Sequence, residues 1–366
     1  MVDKVQYLAE RYEIFRIVFT ASLCLIPYVF LRLTISFLLI SLVSWIIRNI
    51  WWHVNDIRIS SNGRGVFITG CDSGFGFLFA QHFDELGYTV FAGCLSEKSD
   101  GARKLRKEGT KRLHVVEIDV TKEKSIAEAL VYVRKHLPRK GLWGIINNAG
   151  INMYGEVEIV PVSLYEKCFD VNLYGPIRVL KEFTYLIRKT KGRIVNITSV
   201  HGLMCTPGQS TYETTKHGME TLSDSLRLEM SKFDVKVIVV EPGMFGRVTS
   251  ICNEAMIKKR TEDILEMWDQ ATPEVKKSYS KSYLMSWLPK PVAKWPPEFD
   301  DISSLIRSVE HAISSETPNS RYMVDGKGIT SFLDHYAIIA RVYNLLPTWI
   351  MDAVIAKWRN CYKKPK

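Results

Sequence analysis

The sequence predicts an α/β protein built on a doubly wound parallel sheet, preceded by an apolar amino-terminal segment. Short apolar strands alternate with helical patterns through the middle of the chain, as in sheets that carry helices on both faces. A glycine-rich turn, residues 70–76, follows directly on the fully apolar strand 66–69 and opens a helical pattern. Residues 17–47 are almost entirely apolar, which indicates a membrane anchor.

The composition narrows the function classes. The 366 residues suffice for one large α/β domain, and lysine plus arginine exceed aspartate plus glutamate by ten. Because this charge forms neither a basic stripe nor a docking motif, we expect no nucleic-acid partner and attribute it to an anionic membrane surface. The seven cysteines are scattered and odd in number, so neither a disulfide framework nor a metal site is expected.

Residues 1–60 are predicted to form the membrane anchor. Two apolar runs of about fifteen residues each, shorter than the roughly twenty that one span needs, are separated by Arg32. One tilted span and a hairpin with Arg32 near the far interface both fit. Trp45, Trp51 and Trp52 are typical of an interfacial belt. A cleaved signal peptide is less consistent, because the apolar region is long and no small-residue cleavage site follows it.

The glycine-rich turn predicts a dinucleotide site. Its glycines let the backbone approach a pyrophosphate, which then lies at the amino terminus of the following helix. The spacing is Gly-x-x-x-Gly-x-Gly, and a chance cluster of glycines is the alternative, but the position directly after a buried strand favours nucleotide binding. The residues expected to contact the cofactor here are Gly70, Ser73, Gly74, Phe75 and Gly76.

The next two strands bear on which cofactor is bound. The strand over residues 89–94 ends without an acidic residue for a ribose 2′-hydroxyl and without an arginine for a 2′-phosphate. Since Asp72 in the turn would repel a 2′-phosphate, we expect NAD rather than NADP. The strand over residues 113–118 ends at Asp119 and Val120, which are predicted to flank the adenine ring.

Polar residues follow the later strands as well. After a predicted helix over residues 122–136, a strand over 144–146 opens into a polar segment. The residues of this segment expected to contact the cofactor are Asn148, Ala149 and Gly150. A long helix predicted over residues 163–189 contains Asn172.

Ser199 follows the strand predicted over residues 193–198, at the strand end where open α/β sheets bind ligands. Thirteen residues later come Tyr212 and Lys216, which share one helix face because they are four residues apart. A nearby ammonium group stabilises a phenolate and so favours proton exchange, although a Tyr-x-x-x-Lys pair alone also occurs on solvated helices. His201 fits either a pocket wall or an ordinary loop histidine.

Together these motifs resemble the short-chain dehydrogenase/reductase family. They are Thr69-Gly70-x-x-x-Gly74-x-Gly76, Asn147-Asn148-Ala149-Gly150, Asn172, Ser199, Tyr212-x-x-x-Lys216 and Pro242-Gly243. The resemblance covers residues 63–330, and it predicts a catalytic domain over 61–330 with a Rossmann-like fold. Segments 69–76, 91–95, 141–144, 222–227 and 240–243 are similar to the membrane-associated branch with retinol, 17β-hydroxysteroid and mitochondrial D-3-hydroxybutyrate dehydrogenases.

The resemblance implies a role for each catalytic residue. Tyr212 would be the general acid/base for the substrate oxygen, and Ser199 would hydrogen-bond the same oxygen. Lys216 would hold the nicotinamide ribose and lower the tyrosine pKa, so Tyr212 and Lys216 also count as cofactor contacts. Asn172 would anchor a water in the proton relay. Without the resemblance, Ser199 could be an ordinary loop serine and Asn172 a turn former.

Pro242 and Gly243 are expected to contact the cofactor. After this pair the family usually has a threonine near the nicotinamide amide. This chain instead has Gly246-Arg247, with Thr249 two residues on, so the carboxamide contact stays open.

The segment between residues 243 and 300 is predicted to form the substrate lid. It carries Trp268, Trp287 and Trp295 among several prolines, which favours an apolar substrate; packing of the tryptophans in the protein's own core is the alternative. Residues 331–366 form a predicted amphipathic tail at a membrane surface, with core or dimer packing as the alternative. The final Lys363-Lys364-Pro365-Lys366 fits a dilysine signal for the endoplasmic reticulum.

The predicted function is NAD-dependent interconversion of a lipophilic alcohol, a retinoid or a hydroxysteroid, and its carbonyl. D-3-hydroxybutyrate oxidation is the enzyme alternative, and its charged substrate would need a cation such as Arg247. A mitochondrial membrane is the alternative to the endoplasmic reticulum. A catalytically silent membrane-anchored scaffold is the alternative of another class. A homo-oligomer is compatible with the sequence.

Overall fold

The computed structural model of the chain describes residues 2–54, 56–245, 254–288, 301–324 and 335–359. It divides into two compact units, Met1–Ile57 and Arg58–Lys366. The predicted α/β architecture with a parallel sheet is confirmed in the second unit.

The first unit is one helix, α1 (Val2–Val54), with Pro27 inside it. Its 27-residue stretch Val18–Ser44 has a mean hydropathy of 2.2, so it is long and apolar enough to cross a membrane, a property that signal sequences share. The guanidinium of Arg32 lies 5.3 Å from the centroid of the Tyr28 ring. The chain therefore forms a continuous helix here and not a hairpin. The side chains of the three predicted belt tryptophans lie outside the described part of the chain.

The described part of the second unit contains seven strands, and the five strands predicted over residues 66–198 agree with the first five of them to within two residues at each end. They are β1 (Gly65–Thr69), β2 (Thr89–Cys94), β3 (Leu113–Glu117), β4 (Leu142–Asn147), β5 (Arg193–Ile197), β6 (Lys236–Pro242) and β7 (Arg321–Val324). All neighbours are parallel, and the order is β3-β2-β1-β4-β5-β6-β7. Because the order reverses between β1 and β4, the carboxyl ends of these two strands border the crevice where such sheets bind ligands.

Helices cover both faces of the sheet. They are α2 (Gly74–Glu85), α3 (Asp100–Glu108), α4 (Glu123–Lys135), α5 (Val162–Phe169), α6 (Gly175–Thr190), α7 (Ser210–Met230) and α11 (Ser303–Ser314). Alternate strand residues point to opposite faces: Val66 and Ile68 belong to the core shared with α2 and α11, while Phe67 belongs to the core shared with α4 and α6. This two-sided burial explains why β1 is apolar at every position.

The helix predicted over residues 163–189 is interrupted. A π-turn (Asp170–Tyr174) separates α5 from α6, and the amide of Gly175 bonds to the Asp170 carbonyl. The reason is Pro176, which has no N–H to continue the α-helical ladder and is favoured only in the first turn of a helix. The turn directs Asn172 inward, where it is 1% exposed.

The lid predicted between residues 243 and 300 contains three helices in its described part: α8 (Glu254–Gln270), α9 (Pro273–Ser278) and α10 (Lys281–Met285). Trp268 packs in an apolar cluster with Ile159, Ile264 and Met267, which agrees with core packing for this tryptophan. Trp287 lies against Gly208. Trp295 and the prolines around it lie outside the described residues.

Two helices, α12 (His335–Val342) and α13 (Thr348–Arg359), lie in the predicted tail. One side packs on the loop after β5, where Ile339 and Met351 join Val200 and Met204 in a buried cluster. Core packing thus holds for part of the tail. Leu345 and Trp349 on the connection and on α13 are 78% and 73% exposed.

Candidate active site

The glycine turn is shaped by backbone conformations and contacts that only glycine tolerates. Gly70 and Gly74 have φ of +74° and +60°, in the region that L side chains rarely adopt. A Cβ on Gly70 would lie 2.8 Å from the Ala149 Cα, and a Cβ on Gly76 would collide with the Gly70 carbonyl oxygen. The turn therefore closes directly onto the end of β4.

The helix that follows presents free amide groups. Ser73 occupies the N-cap position of α2, but its side chain makes no capping hydrogen bond. The first amides of the helix have no intrahelical acceptor. They therefore suit an anion such as a pyrophosphate, which the helix dipole also favours. Phe75, which was also expected to contact the cofactor, packs edge-on against Phe245, with 5.5 Å between the two ring centroids.

Asn148 ties the turn to β4. Its side-chain amide donates to the carbonyls of Thr69 (2.9 Å) and Gly70 (3.2 Å). In return, the Thr69 hydroxyl accepts from the backbone amides of Asn148 and Ala149. The structure therefore uses the Asn148 side chain to hold the turn, and Gly150 lies near Lys216.

Asp119 and Val120 lie at the carboxyl end of β3, as predicted. The Asp119 carboxylate accepts from the backbone and hydroxyl of Thr121 and lies 3.1 Å from the Lys122 ammonium. Partial burial opposes its ionisation, but these hydrogen bonds prevail and lower its pKa. Val120 is buried against Gly175 at the start of α6. Both side chains are thus engaged within the protein.

Tyr212, Lys216 and Ser199 come together at the carboxyl ends of β5 and β6. The Lys216 ammonium lies 5.4 Å from the centroid of the Tyr212 ring and donates to the Ile197 carbonyl at 2.9 Å. Ser199 hydrogen-bonds Tyr212, and its hydroxyl also lies 3.4 Å from the Pro242 carbonyl oxygen. The amide of Gly243 donates to the Val324 carbonyl, so the Pro-Gly pair is fixed to β7.

Burial controls the titration of the two central groups. It raises the pKa of the Tyr212 phenol well above its ordinary value, although the hydrogen bond with Ser199 acts in the other direction. Burial lowers the pKa of Lys216 from 10.5 to about 8. Lys216 is thus an ammonium at neutral pH whose proton is held weakly enough to exchange.

Asn172 is locked in place by four contacts. Its carbonyl oxygen accepts from the Ile151 amide, and its NH₂ group donates to the Ile151 carbonyl, both at 2.8 Å. The NH₂ group also reaches the Thr215 hydroxyl and the Cys168 sulfur. Thr215 in turn donates to the Tyr212 carbonyl. Asn172 therefore joins the π-turn to the helix that carries Tyr212 and Lys216.

Comparison with known proteins agrees with this geometry. Residues 64–258 match the family described as short chain dehydrogenase. The chain belongs to the short-chain dehydrogenase family. D-beta-hydroxybutyrate dehydrogenase, mitochondrial, of Rattus norvegicus is 41% identical over 267 residues, which cover 72% of this chain and 77% of the relative. Retinol dehydrogenase 16 of Mus musculus is 37% identical over 311 residues, with coverage of 84% and 90%. Estradiol 17-beta-dehydrogenase 2 of Mus musculus is 36% identical over 298 residues, with coverage of 80% and 74%.

Solved structures of this fold resemble the dehydrogenase as well. A short chain dehydrogenase from Burkholderia cenocepacia in complex with NADP superposes with a TM-score of 0.55 at 19% identity, covering 81% of this chain and 99% of that one. A 3-ketoacyl-(acyl-carrier-protein) reductase from Brucella melitensis complexed with NADH gives 0.54 at 19% identity, covering 73% and 98%. The chain is thus an NAD(P)-dependent oxidoreductase, and its uncapped helix and left-handed glycines fit the pyrophosphate of that cofactor.

Asp72 has a position in the dehydrogenase that the sequence did not indicate. Its carboxylate accepts from the backbone amides of Leu95 (2.7 Å) and Ser96 (3.3 Å). An acidic group therefore does stand at the end of β2, but the glycine turn supplies it. The position of Asp72 at the end of β2 is visible only in the structure, where the glycine turn folds back against that strand.

Glu213 is a residue that sequence reasoning missed. Its carboxylate is 3% exposed and accepts from the amide and hydroxyl of Thr206 and lies 2.8 Å from His201 Nδ1. His201 is thus a buried loop histidine bound to Glu213, and its own amide donates to Ser199. The pair pins the loop that carries Ser199 to the helix of Tyr212. Gly246, Arg247 and Thr249 lie outside the described residues.

Proposed function

We propose that the dehydrogenase interconverts a lipophilic alcohol, a retinoid or a hydroxysteroid, and its carbonyl with NAD. The observation that carries this is the meeting of Ser199, Tyr212 and Lys216 beside the glycine turn, at one edge of the sheet. Relatives named for retinol and estradiol support the substrate class.

The side chains have distinct tasks in this proposal. When bound, NAD supplies a nicotinamide ring that accepts a hydride from the alcohol carbon or returns it to the carbonyl. Tyr212 Oη takes the hydroxyl proton in oxidation and gives it back in reduction. Ser199 hydrogen-bonds the same oxygen and holds it in line. The Lys216 ammonium stabilises the Tyr212 phenolate by its charge, which is effective because both groups are withdrawn from water.

Asp72 supports NAD as the cofactor. Its carboxylate stands at the end of β2, on the side of the turn where dinucleotides place their adenosine ribose. A negative charge there repels a 2′-phosphate and tolerates a 2′-hydroxyl. The side chains of Asn148, Asp119 and Val120 are bound within the protein. We therefore propose that they shape the walls of the cofactor site and do not bind the cofactor through free polar groups.

We further propose that the enzyme acts at a membrane. The apolar stretch Val18–Ser44 supports a spanning anchor, and the exposed Leu345 and Trp349 support surface contact by the tail. The dilysine end favours the endoplasmic reticulum. A mitochondrial membrane is the alternative, and it is supported by the similarity to the mitochondrial D-beta-hydroxybutyrate dehydrogenase of Rattus norvegicus.

A turnover assay on membranes that carry the full chain tests the function, with retinol, a hydroxysteroid and 3-hydroxybutyrate offered with NAD or NADP. Tyr212→Phe should lower kcat by about 100- to 10,000-fold, the usual contribution of general acid–base catalysis, without weakening NAD binding. Tyr185→Phe, a partly buried tyrosine on α6, is the matched control.

Three results would count against parts of the proposal. An unchanged rate in Tyr212→Phe would refute the assigned acid/base. Turnover confined to 3-hydroxybutyrate would replace the lipophilic substrate with that hydroxy acid. NAD binding without turnover of any alcohol would favour the scaffold.

A further inference from the structure

Arg260 is a buried cation on the lid. It lies on α8 and is 4% exposed, although the two neighbouring lysines, Lys258 and Lys259, are exposed. Two of its three guanidinium nitrogens, Nε and Nη1, are buried without a hydrogen-bond partner. Among the residues that the structure describes, no carboxylate lies within ion-pair distance of it.

Such an arrangement is unfavourable unless a partner arrives. Buried arginines are normally paired, because a charge withdrawn from water needs hydrogen bonds or a counter-charge. The contact that Arg260 does make is with an aromatic ring, since its guanidinium carbon lies 4.7 Å from the centroid of Tyr154. A cation–π contact offsets only part of the lost hydration. The described part of the chain thus leaves the guanidinium with two nitrogens available to an anion.

The position of Tyr154 places this cation at the wall of the active site. Tyr154 is near enough to Tyr212 to contribute, after burial, to the raised pKa of the Tyr212 phenol. The preceding residue is joined to the start of α7, because the Thr211 hydroxyl donates to the Met153 carbonyl at 2.8 Å. Tyr154 thus directly follows a residue that is bound to the start of the Tyr212 helix, and its ring contacts the Arg260 guanidinium.

We propose that Arg260 binds a carboxylate carried by the alcohol substrate, so that the enzyme acts on a hydroxy acid. The planar guanidinium matches the carboxylate in geometry. A monoanion also matches the single charge of Arg260, whereas a phosphate dianion would call for a second cation. This inference rests on the proposed function and narrows its substrate class to lipophilic alcohols that also carry a carboxylate.

The test compares matched acids and esters. The full chain in membranes, with NAD, is offered 3-hydroxybutyrate, 3-hydroxypalmitate and the methyl ester of each. Arg260→Met should raise KM for the better acid by roughly 10- to 100-fold, the range expected for a lost charged hydrogen bond, and leave the KM of its ester unchanged. Arg260→Lys should retain part of the preference. Lys259→Met, an exposed cation on the same helix, should match the wild type.

A preference of the wild type for the esters, or an acid-to-ester ratio that is the same in Arg260→Met, would overturn the inference and leave the proposed function standing. A binding measurement that needs no turnover distinguishes the carboxylate site from the proposed function. With NADH present, palmitate and butyrate should raise the melting temperature of the wild type but not of Arg260→Met. If that holds while no alcohol is oxidised, the carboxylate site stands and the proposed function fails.

A structural role for Arg260 gives a different result. Because the residues that the structure describes give its two buried nitrogens no hydrogen bond, Arg260→Met should melt no lower than the wild type without ligand. A much lower melting temperature together with unchanged carboxylate binding would show that the guanidinium serves packing and would overturn the inference.

Discussion

Lys216 keeps a positive charge in a place where burial opposes it. Its pKa falls from 10.5 to about 8, so the folded protein at neutral pH holds a proton that the surroundings disfavour. The benefit is electrostatic: the ammonium lies one helical turn from Tyr212 and is poorly screened. The enzyme therefore gives up stability at the residue that is proposed to activate the acid/base Tyr212.

Lys216→Met should reveal this cost through its pH dependence. Below pH 8 the wild type bears the full penalty. Between about pH 8 and 10.5 the unfolded chain binds a proton that the folded chain does not, so wild-type stability rises with pH. The stability difference between variant and wild type should shrink across this window by up to about 3 kcal/mol, at about 1.4 kcal/mol per pKa unit.

Melting temperatures of both full-length proteins in detergent at pH 7, 8, 9 and 10 measure the difference. Groups that titrate equally in the two proteins cancel. A difference that stays constant over this range would contradict the lowered pKa. Turnover should fall by at least 100-fold in the variant at every pH, as expected when acid–base catalysis is lost.

For individual residues, the sequence predicted which side chains lie close together but not which hydrogen bonds fix their positions. Tyr212 and Lys216 share a helix face by spacing alone, so their proximity could be inferred. The bonds of Asn172 to Ile151 depend on how a π-turn meets a loop, which no local pattern encodes. Arg260 was missed because an arginine beside two lysines on a helix resembles a solvated face.

The glycine turn and β2 act as one element through Asp72. Because its carboxylate binds the amides of Leu95 and Ser96, the turn and the strand end cannot separate without exposing both amides. The negative charge is thereby held rigidly beside the expected ribose position. A rigid charge discriminates better than a mobile one, since it cannot move away from a second anion.

Asp72→Asn should relax the cofactor choice. The amide oxygen of asparagine can still accept one backbone hydrogen bond, while the repulsion of a 2′-phosphate is removed. The ratio of kcat/KM with NADP to that with NAD should rise by roughly tenfold or more, given Coulomb energies of a few kcal/mol at short range near a protein surface. Asp100→Asn, whose side chain is 97% exposed, is the control, and an unchanged ratio in Asp72→Asn would argue against this role.

The elements of the sheet were predictable for a physical reason. Strands of a parallel sheet are buried on both faces, so each appears as a short apolar run. The helix over residues 163–189 was predicted without its break, because the apolar pattern continues on both sides of Pro176. The tail was predicted as a surface element, with core packing as the alternative, and several of its apolar residues pack on the loop after β5.

The two compact units predict separable properties. The second unit, Arg58–Lys366, contains every residue of the candidate site, and all seven strands. A chain that begins at Arg58 should therefore oxidise the same alcohols with an unchanged KM for NAD. The full chain should resist extraction from membranes by alkaline carbonate, whereas the shortened chain should be released, because surface contacts are weaker than a span.

Mass measurement of the membrane-bound protein completes this experiment. Retention of residues 1–57 would agree with an anchor, and their loss would identify a cleaved signal sequence instead. A shortened chain that is folded but inactive would show that the first unit contributes to catalysis.

The last strand also affects what happens to an incomplete chain. Strand β7 pairs with β6 from across the entire lid, and Arg321 on β7 binds Glu241 (2.6 Å) and Glu220. Without that cation, Glu241 would remain in a site where burial and Glu220 already raise its pKa to about 7. A chain that stops within the predicted lid would retain the glycine turn and the four residues proposed as catalytic. Its β6, however, would be an open apolar edge, which is a template for aggregation, so premature termination should yield an insoluble product and not a soluble, lidless enzyme.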